Sequence, residues 1–287
     1  MKQTRHLLIA LALGTMLTSC GASVSTATVT GPAAYVDPYL GSGGHGHVFV
    51  GASVPFGAIQ AGPQNIHKGW DWCSGYHHSD SIVIGFAHTH LSGTGCTDMG
   101  DVQIMPYTGE LRSKRGRQED IGGSCSSYYS HDNESVSPGY YSLKMNNGVQ
   151  IEMTASTRTA LHRITYPEAE GRRLLINLEE GNGDGAYDTY LRQTDAHTVE
   201  GYRFSKGWGP HKVFFALTTD KPIRSLALFD ADTPSEGSEI RCKGAKGVLT
   251  FDDEKQVMVK VAISSVSSAN ALENLRTEIP GWDFKAV

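Results

Sequence analysis

The sequence predicts an all-β protein, a large antiparallel β-sandwich followed by one short helix, and three observations carry that prediction. Apolar and polar residues alternate with period two in run after run, turn-forming residues separate the runs, and helical spacing occurs in one late stretch only. In the clearest run Val149, Ile151 and Met153 face one way while Gln150, Glu152 and Thr154 face the other. Val257, Val259, Val261 and Ile263 repeat the pattern opposite Met258, Lys260 and Ala262. Further strands are predicted over 82–87, 102–105, 157–166, 173–178, 199–204, 213–218, 223–229 and 248–251, with turns such as Asn146-Asn147-Gly148 and Asp252-Asp253 between runs. So many strands in one chain have to bury their apolar faces against each other, which makes a sandwich.

The ends read differently. Met1 to Ser19 is a targeting segment: Lys2 and Arg5 lead into the apolar run Leu7 to Met16, too short to span a bilayer. It ends at Leu17-Thr18-Ser19-Cys20, which resembles a bacterial lipobox, so Cys20 is expected to be lipidated; an ordinary secretory signal is the alternative. Either way the protein is exported, and a lipid would hold it on a membrane, facing the periplasm or the cell surface, without crossing it. Residues 20–34 are small and polar, a flexible tether. Residues 35–266 form the sandwich. Ser267 and Ser268 then cap a helix over 269–278, with Ala271, Leu272 and Leu275 on one face and Pro280-Gly281 as the stop. The apolar Trp282-Asp283-Phe284 has no evident packing partner, so residues 267–287 are expected to be a connector to a further domain.

A formal charge of −5 with scattered Lys and Arg leaves no basic stripe and excludes nucleic acid as a partner. In an oxidising compartment Cys73, Cys96, Cys125 and Cys242 are either paired, in one of three connectivities, or small buried thiols.

The chemistry is concentrated between Gly41 and Asp101, where seven of the twelve histidines and two of the four tryptophans lie among glycines. Such glycines let backbone approach closely and let aromatic and polar side chains converge. Sugar rings offer apolar C–H faces that stack on indole and hydroxyls that need directed partners. Trp70, Trp72, His45, Gly46, His47, His88, His90 and Asp98 are therefore the candidate substrate-binding residues, and the ligand is a sugar. Asp71, Asp98 and Asp101 lie in the same stretch, but spacing assigns none as acid or base, and turn-making is their simpler role. The pairs His45/His47 and His88/His90 each place two rings on one side and resemble transition-metal ligands, yet no third ligand has diagnostic spacing, so no metal residue is assigned.

Three short motifs fail on context. Gly41-Ser42-Gly43-Gly44-His45-Gly46 fits a dinucleotide loop, but no helix follows it. The segment from Glu180 to Gly185 imitates half an EF-hand, with Leu191 where a bidentate Glu is required, leaving at most a looser calcium contact. Asn133-Glu134-Ser135 is a formal glycosylation acceptor with little meaning in a bacterial lipoprotein.

Longer strings carry a family resemblance. Gly44-His45-Gly46-His47, Val54-Pro55-Phe56-Gly57, the run from Gly69 to His77, the run from Gly85 to Gly95, and Gly100-Asp101 resemble glycoside hydrolase family 92, the calcium-dependent exo-α-mannosidases. Pro138-Gly139-Tyr140-Tyr141, Thr157-Arg158 with His162-Arg163, and Gly201-Tyr202-Arg203 with Gly207-Trp208 extend the likeness from about Val36 to the last residue. The resemblance implies a β-supersandwich similar to the galactose mutarotase-like fold, joined to an (α/α)6 barrel. That barrel supplies the acid and base of an inverting mechanism and most ligands of the calcium cofactor. The expected partners are thus an α-mannoside or N-glycan and the barrel domain. No residue of this chain inherits a catalytic role, and Trp70 matches a position that contacts substrate. The alternatives are a stand-alone lipoprotein that binds mannose-rich glycans and a metallohydrolase that uses the His pairs.

Overall fold

A computed structural model describes residues 30–287; the predicted export signal, Cys20 and residues 21–29 of the predicted tether lie outside the described residues. Two antiparallel sheets face each other. The smaller has seven strands, in spatial order Gly62–Gln64, Gly85–Ala87, Gln103–Tyr107, Arg173–Asn177, Ala245–Thr250, Ser225–Asp230 and Thr233–Ser235. The larger has nine: Glu239–Cys242, Gly185–Gln193, Thr198–Lys206, Pro210–Thr219, Gln256–Ser264, Thr159–Thr165, Gln150–Ala155, Tyr140–Lys144 and Glu134–Ser137. Ile82–Val83 and Ser127–Tyr128 make a small separate pair.

The period-two residues meet between the sheets. Ile151, Met153, Val257, Val259 and Val261 from the nine-stranded sheet are buried in one cluster with Leu174, Ile176, Val248 and Leu249 from the other. At roughly 25 cal/mol per Å2 of apolar surface removed from water, this cluster is the main stabilising term of the fold.

Part of the outer face of the nine-stranded sheet is also covered, which the alternation alone does not foretell. Helix Ser268–Glu278, with the Ser267 side chain accepting from the Asn270 N–H as N-cap, buries Ala271 and Leu275 against it. The segment after the helix folds back rather than leading away. Ile279 is buried with Leu161 and Met258, Phe284 packs under the Arg163 guanidinium at 4.6 Å, and Trp282 lies 4.0 Å from Lys260 Nζ. Lys260 Nζ donates a hydrogen bond to the Ile279 carbonyl at 2.7 Å. The expectation that Trp282 and Phe284 lack packing partners is therefore corrected: the cationic side chains of Lys260 and Arg163 on the sheet serve as partners. Gly31–Tyr35, at the end of the predicted tether, is a short 3-10 turn with no buried residue. Among the described residues no helix is long and apolar enough to cross a membrane.

Candidate functional site

Loops at one end of the sandwich bring the Gly-rich strings together. Gly46 sits where an added Cβ would fall 2.1 Å from the Gly41 carbonyl oxygen, so only glycine lets this loop close on itself. The Gly93 N–H donates to the His47 carbonyl at 2.8 Å, and the Trp70 indole N–H donates to the Gly95 carbonyl at 2.9 Å. Asn182 donates its side-chain N–H to the Cys73 carbonyl at 2.6 Å and so ties in the loop before strand Gly185–Gln193. Backbone strain concentrates here: His47, Phe56, Met99 and Val102 all have φ between 53° and 65°. Non-glycine residues adopt that region only when their surroundings compel it, which marks functional loops.

Trp70 is the centre of the assembled cluster. His47 meets its ring edge-on with centroids 4.2 Å apart, His45 lies at 5.3 Å, and the indole is still 57% exposed. Asp71 hydrogen-bonds one imidazole, with Oδ1 2.6 Å from His45 Nδ1, and faces the other at 3.5 Å from His47 Nε2. The hydrogen bond from His45 holds the Asp71 carboxyl below its ordinary range, so it stays ionised. An open indole face rimmed by imidazoles and a carboxylate can stack an apolar ring face and hydrogen-bond its hydroxyl edge.

The other predicted residues lie elsewhere. Trp72 is turned inward, stacked on His77 at 4.4 Å and donating to Asp80 Oδ2 at 2.9 Å. His88 is fully buried between the sheets, its Nδ1 2.6 Å from the Val102 carbonyl and its Nε2 2.9 Å from His162 Nε2. His90 is buried beside Phe49, ring centroids 4.9 Å apart, with Nδ1 2.8 Å from the Gln60 carbonyl. Burial pushes the His88 and His90 imidazoles down to about 4, so both are neutral near pH 7. The expectation of two rings on one face fails for this pair because strand Gly85–Ala87 ends before them and the segment that follows is buried, so both rings are packing elements.

Asp98 does not face outward either. Its Oδ1 accepts from the Met99 N–H at 2.9 Å and its Oδ2 from the Trp208 N–H at 3.0 Å. Behind it lies a charge network that sequence reading missed. Arg203, 0% exposed, donates from Nη1 to Asp101 at 2.6 Å, from both Nη atoms to Asp184 at 2.8 and 2.9 Å, and from Nε to the Leu178 carbonyl at 3.0 Å. His211 Nε2 lies 3.3 Å from Asp101, a contact that raises the imidazole above its ordinary value. Burial alone would lift the Asp101 carboxyl, but His211, Arg203 and the Thr89 hydroxyl together hold it down. The available signal was Gly201-Tyr202-Arg203, a lone arginine in an alternating strand at an inward-facing position.

Asp98, Asp184 and His211 bring ligand atoms within 4.8 Å of one another, but both Asp184 oxygens accept from the Arg203 guanidinium and both Asp98 oxygens from backbone N–H groups, so the set is already committed. Calcium takes six to eight oxygen ligands, and these residues do not fit it. The half EF-hand at Glu180–Gly185 is excluded on the same ground, since Asp184 is committed to Arg203. In the second such group, His78, His131 and Glu134, the carboxylate is already taken up by side chains of the chain itself. Glu134 accepts from the Tyr76 and Tyr141 hydroxyls at 3.0 and 2.7 Å and lies 2.7 Å from His131 Nδ1, while the His78 and His131 rings stack with centroids 4.2 Å apart. The four described cysteines are free thiols: Cys73 donates to the Trp70 carbonyl at 2.6 Å and Cys125 to that of Arg112 at 3.3 Å.

Comparison with known proteins places this arrangement. The α-mannosidase BT3965 of Bacteroides thetaiotaomicron, solved in complex with mannoimidazole, superimposes with a TM-score of 0.84 at 34% identity, over 88% of this chain and 35% of that one. The family 92 glycosyl hydrolase ccman5 shares the fold with a TM-score of 0.80 at 24% identity, over 88% of this chain and 35% of its own. An uncharacterized secreted glycosidase of Arthroderma benhamiae is 26% identical over 88% of this chain and 36% of its own length. The chain thus spans about a third of the length of these relatives. Residues 35–264 match the sequence model of the glycosyl hydrolase family 92 N-terminal domain, and with the sandwich and the Trp70 loops in place the chain belongs to that family.

Proposed function

We propose that this chain is the sugar-wall domain of an α-mannosidase: it presents Trp70 to one side of a mannoside, and a barrel domain with the calcium and the catalytic carboxyl groups closes the other. The observation that carries the reading is the state of the nearby carboxylates. Inverting glycoside hydrolysis needs two carboxyl groups about 6.5–9.5 Å apart across the bond, one of them protonated. Here Asp71 is held ionised by His45, Asp98 is spent on two backbone N–H groups, and Asp101 is locked to Arg203. What remains open is an aromatic face, which binds sugar and does not cleave it.

Two further facts support a partner domain. BT3965, solved in complex with mannoimidazole, has 35% of its length covered by 88% of this chain, which makes it about two and a half times as long. Phe56, at φ 61°, is fully exposed beside a groove of about 480 Å3 lined by Val36, Pro38, Phe49, Pro55 and Gln60. A strained and solvated phenylalanine is unfavourable on both counts unless another apolar surface covers it.

The test is a chimera in which this chain replaces the matching third of BT3965. Turnover of α-mannobiose is expected from the chimera and not from the lone chain, with or without calcium, and Trp70→Ala should lower kcat/KM about tenfold, or ~1.4 kcal/mol. Hydrolysis by the lone chain, or a Trp70→Ala chimera as active as its parent, would sink the reading.

The same reading makes the protein an exported bacterial lipoprotein carried on Cys20, a residue outside the described part; the secreted relative from Arthroderma benhamiae favours export. Expressed with its leader, the protein should partition into detergent and Cys20→Ala should release it to the aqueous phase. Equal partitioning of the two would refute the anchor.

A further inference from the structure

We propose that Trp208 is a second sugar platform, stacking a hexose of an α-mannoside chain beyond the ring at Trp70. The inference rests on the reading that Trp70 itself stacks a sugar.

Trp208 stands at the tip of the three-residue turn Gly207-Trp208-Gly209, between strands Thr198–Lys206 and Pro210–Thr219, and is 80% exposed. A solvated hairpin tip normally needs no anchor, yet this one is fixed from below. The buried Asp98 carboxylate accepts the Trp208 N–H at 3.0 Å, and Gly207 presses so close that an added Cβ would sit 2.3 Å from Asp98 Oδ1. Asp98 is itself held in place by the strained Met99, and the Asp184 side chain closes in on Gly207 from the other side. Fixing the backbone that carries the indole before any ligand arrives lowers the entropy lost on binding, which is the use of such an arrangement.

The placement relative to Trp70 follows from the chain. The Trp70 indole is bonded to Gly95, the Trp208 backbone N–H is bonded to Asp98, and two residues separate those anchors, so the Gly95 and Asp98 Cα atoms lie no more than about 11 Å apart. Two indoles so tethered to one loop can contact neighbouring rings of one oligosaccharide. The other exposed aromatic group does not suit this role. Tyr190, Tyr202 and Phe204 stack on each other at 5.6 and 4.2 Å on the outer face of the large sheet, so they offer edges to solvent and hide their faces. Trp208 has its face free.

The test uses the indole N–H resonances of the whole chain, titrated with methyl α-mannoside and with a linear α-mannotriose. The monosaccharide should move the Trp70 signal alone. The trisaccharide should move both Trp70 and Trp208 and bind roughly fivefold tighter, or about 1 kcal/mol. Trp208→Ala should erase that gain and leave the monosaccharide affinity unchanged, and Asp98→Asn, which keeps the side-chain shape, should weaken it in part. A Trp208 signal indifferent to the trisaccharide, or a gain that survives Trp208→Ala, overturns the proposal. A shift at Trp208 with none at Trp70 would instead overturn the Trp70 reading and leave a sugar site at Trp208 alone; silence at both indoles overturns both.

Discussion

Replacing Arg203 by methionine should destabilise the protein by about 3–5 kcal/mol, the range found when one member of a buried ion network is removed. The methionine fills most of the aliphatic volume, so the loss is electrostatic. Asp101 and Asp184, whose side chains are both fully buried, would keep their charges with no guanidinium between them. His211 offers only one partly exposed imidazolium in exchange. The Leu178 carbonyl would also lose its donor. Because the network sits beneath Asp98, the Trp208 turn should loosen with it. Urea unfolding checks this through a lowered midpoint at unchanged slope. The triple variant Arg203→Met, Asp101→Asn, Asp184→Asn should recover much of the loss, since neutral amides do not repel. A loss below about 1 kcal/mol, or no recovery in the triple variant, would place the origin of stability here in packing rather than charge.

The same residues show how far the sequence could be read. Each of the ten predicted runs holds strand residues, because each had at least one buried face whose apolar residues keep step two. The nine-residue strand Gly185–Gln193 was missed: Tyr187, Asp188 and Tyr190 give it a polar outer face, and its inner face is supported by Thr189 and Leu191 rather than by an unbroken apolar series. Glu134–Ser137 and Tyr140–Lys144 were missed for a related reason, since Tyr141 and Ser142 are both buried and alternation vanishes when two faces are covered. The helix was legible from its serine cap and its spacing. At the site, the Gly-rich strings located the loops and Trp70, which depend on local sequence. Whether a histidine faces a ligand or the core depends on which sheet lies opposite, and no local pattern carries that; His88 meets His162 across 74 residues of sequence. Asp98 was found for its neighbourhood, but its backbone partner, Trp208, is 110 residues away.

The second large effect is a loss of stability in mild acid. His88 donates its Nδ1 proton to the Val102 carbonyl, so its Nε2 carries a lone pair, and His162 must supply the proton of the bond between their Nε2 atoms. The pair works only when both rings are neutral: a second proton would set N–H against N–H inside the sandwich. Burial holds His162 well below its ordinary value and His88 and His90 at about 4. A histidine with a depressed folded pKa stabilises fully above the unfolded value near 6.5, and that contribution is lost as pH falls toward the folded one. Unfolding therefore takes up protons between about pH 6.5 and about pH 4, and His88 and His90 alone give a loss of order 3 kcal/mol each across the window. His211, with a raised value, acts in the opposite sense, adding stability below about pH 6.5 that fades as pH rises through its folded pKa. Asp101, held down, gives way only below the ordinary carboxylate range near 4. The three buried imidazoles outnumber the one raised histidine, so the net slope is downward. Urea midpoints should fall steadily from pH 6.5 to 4.5, and His90→Gln, which keeps a donor for the Gln60 carbonyl and cannot charge, should flatten part of the slope. A midpoint independent of pH across that window would mean that these rings take up protons in the folded state, and that the inter-sheet pair is not the neutral bridge its geometry requires.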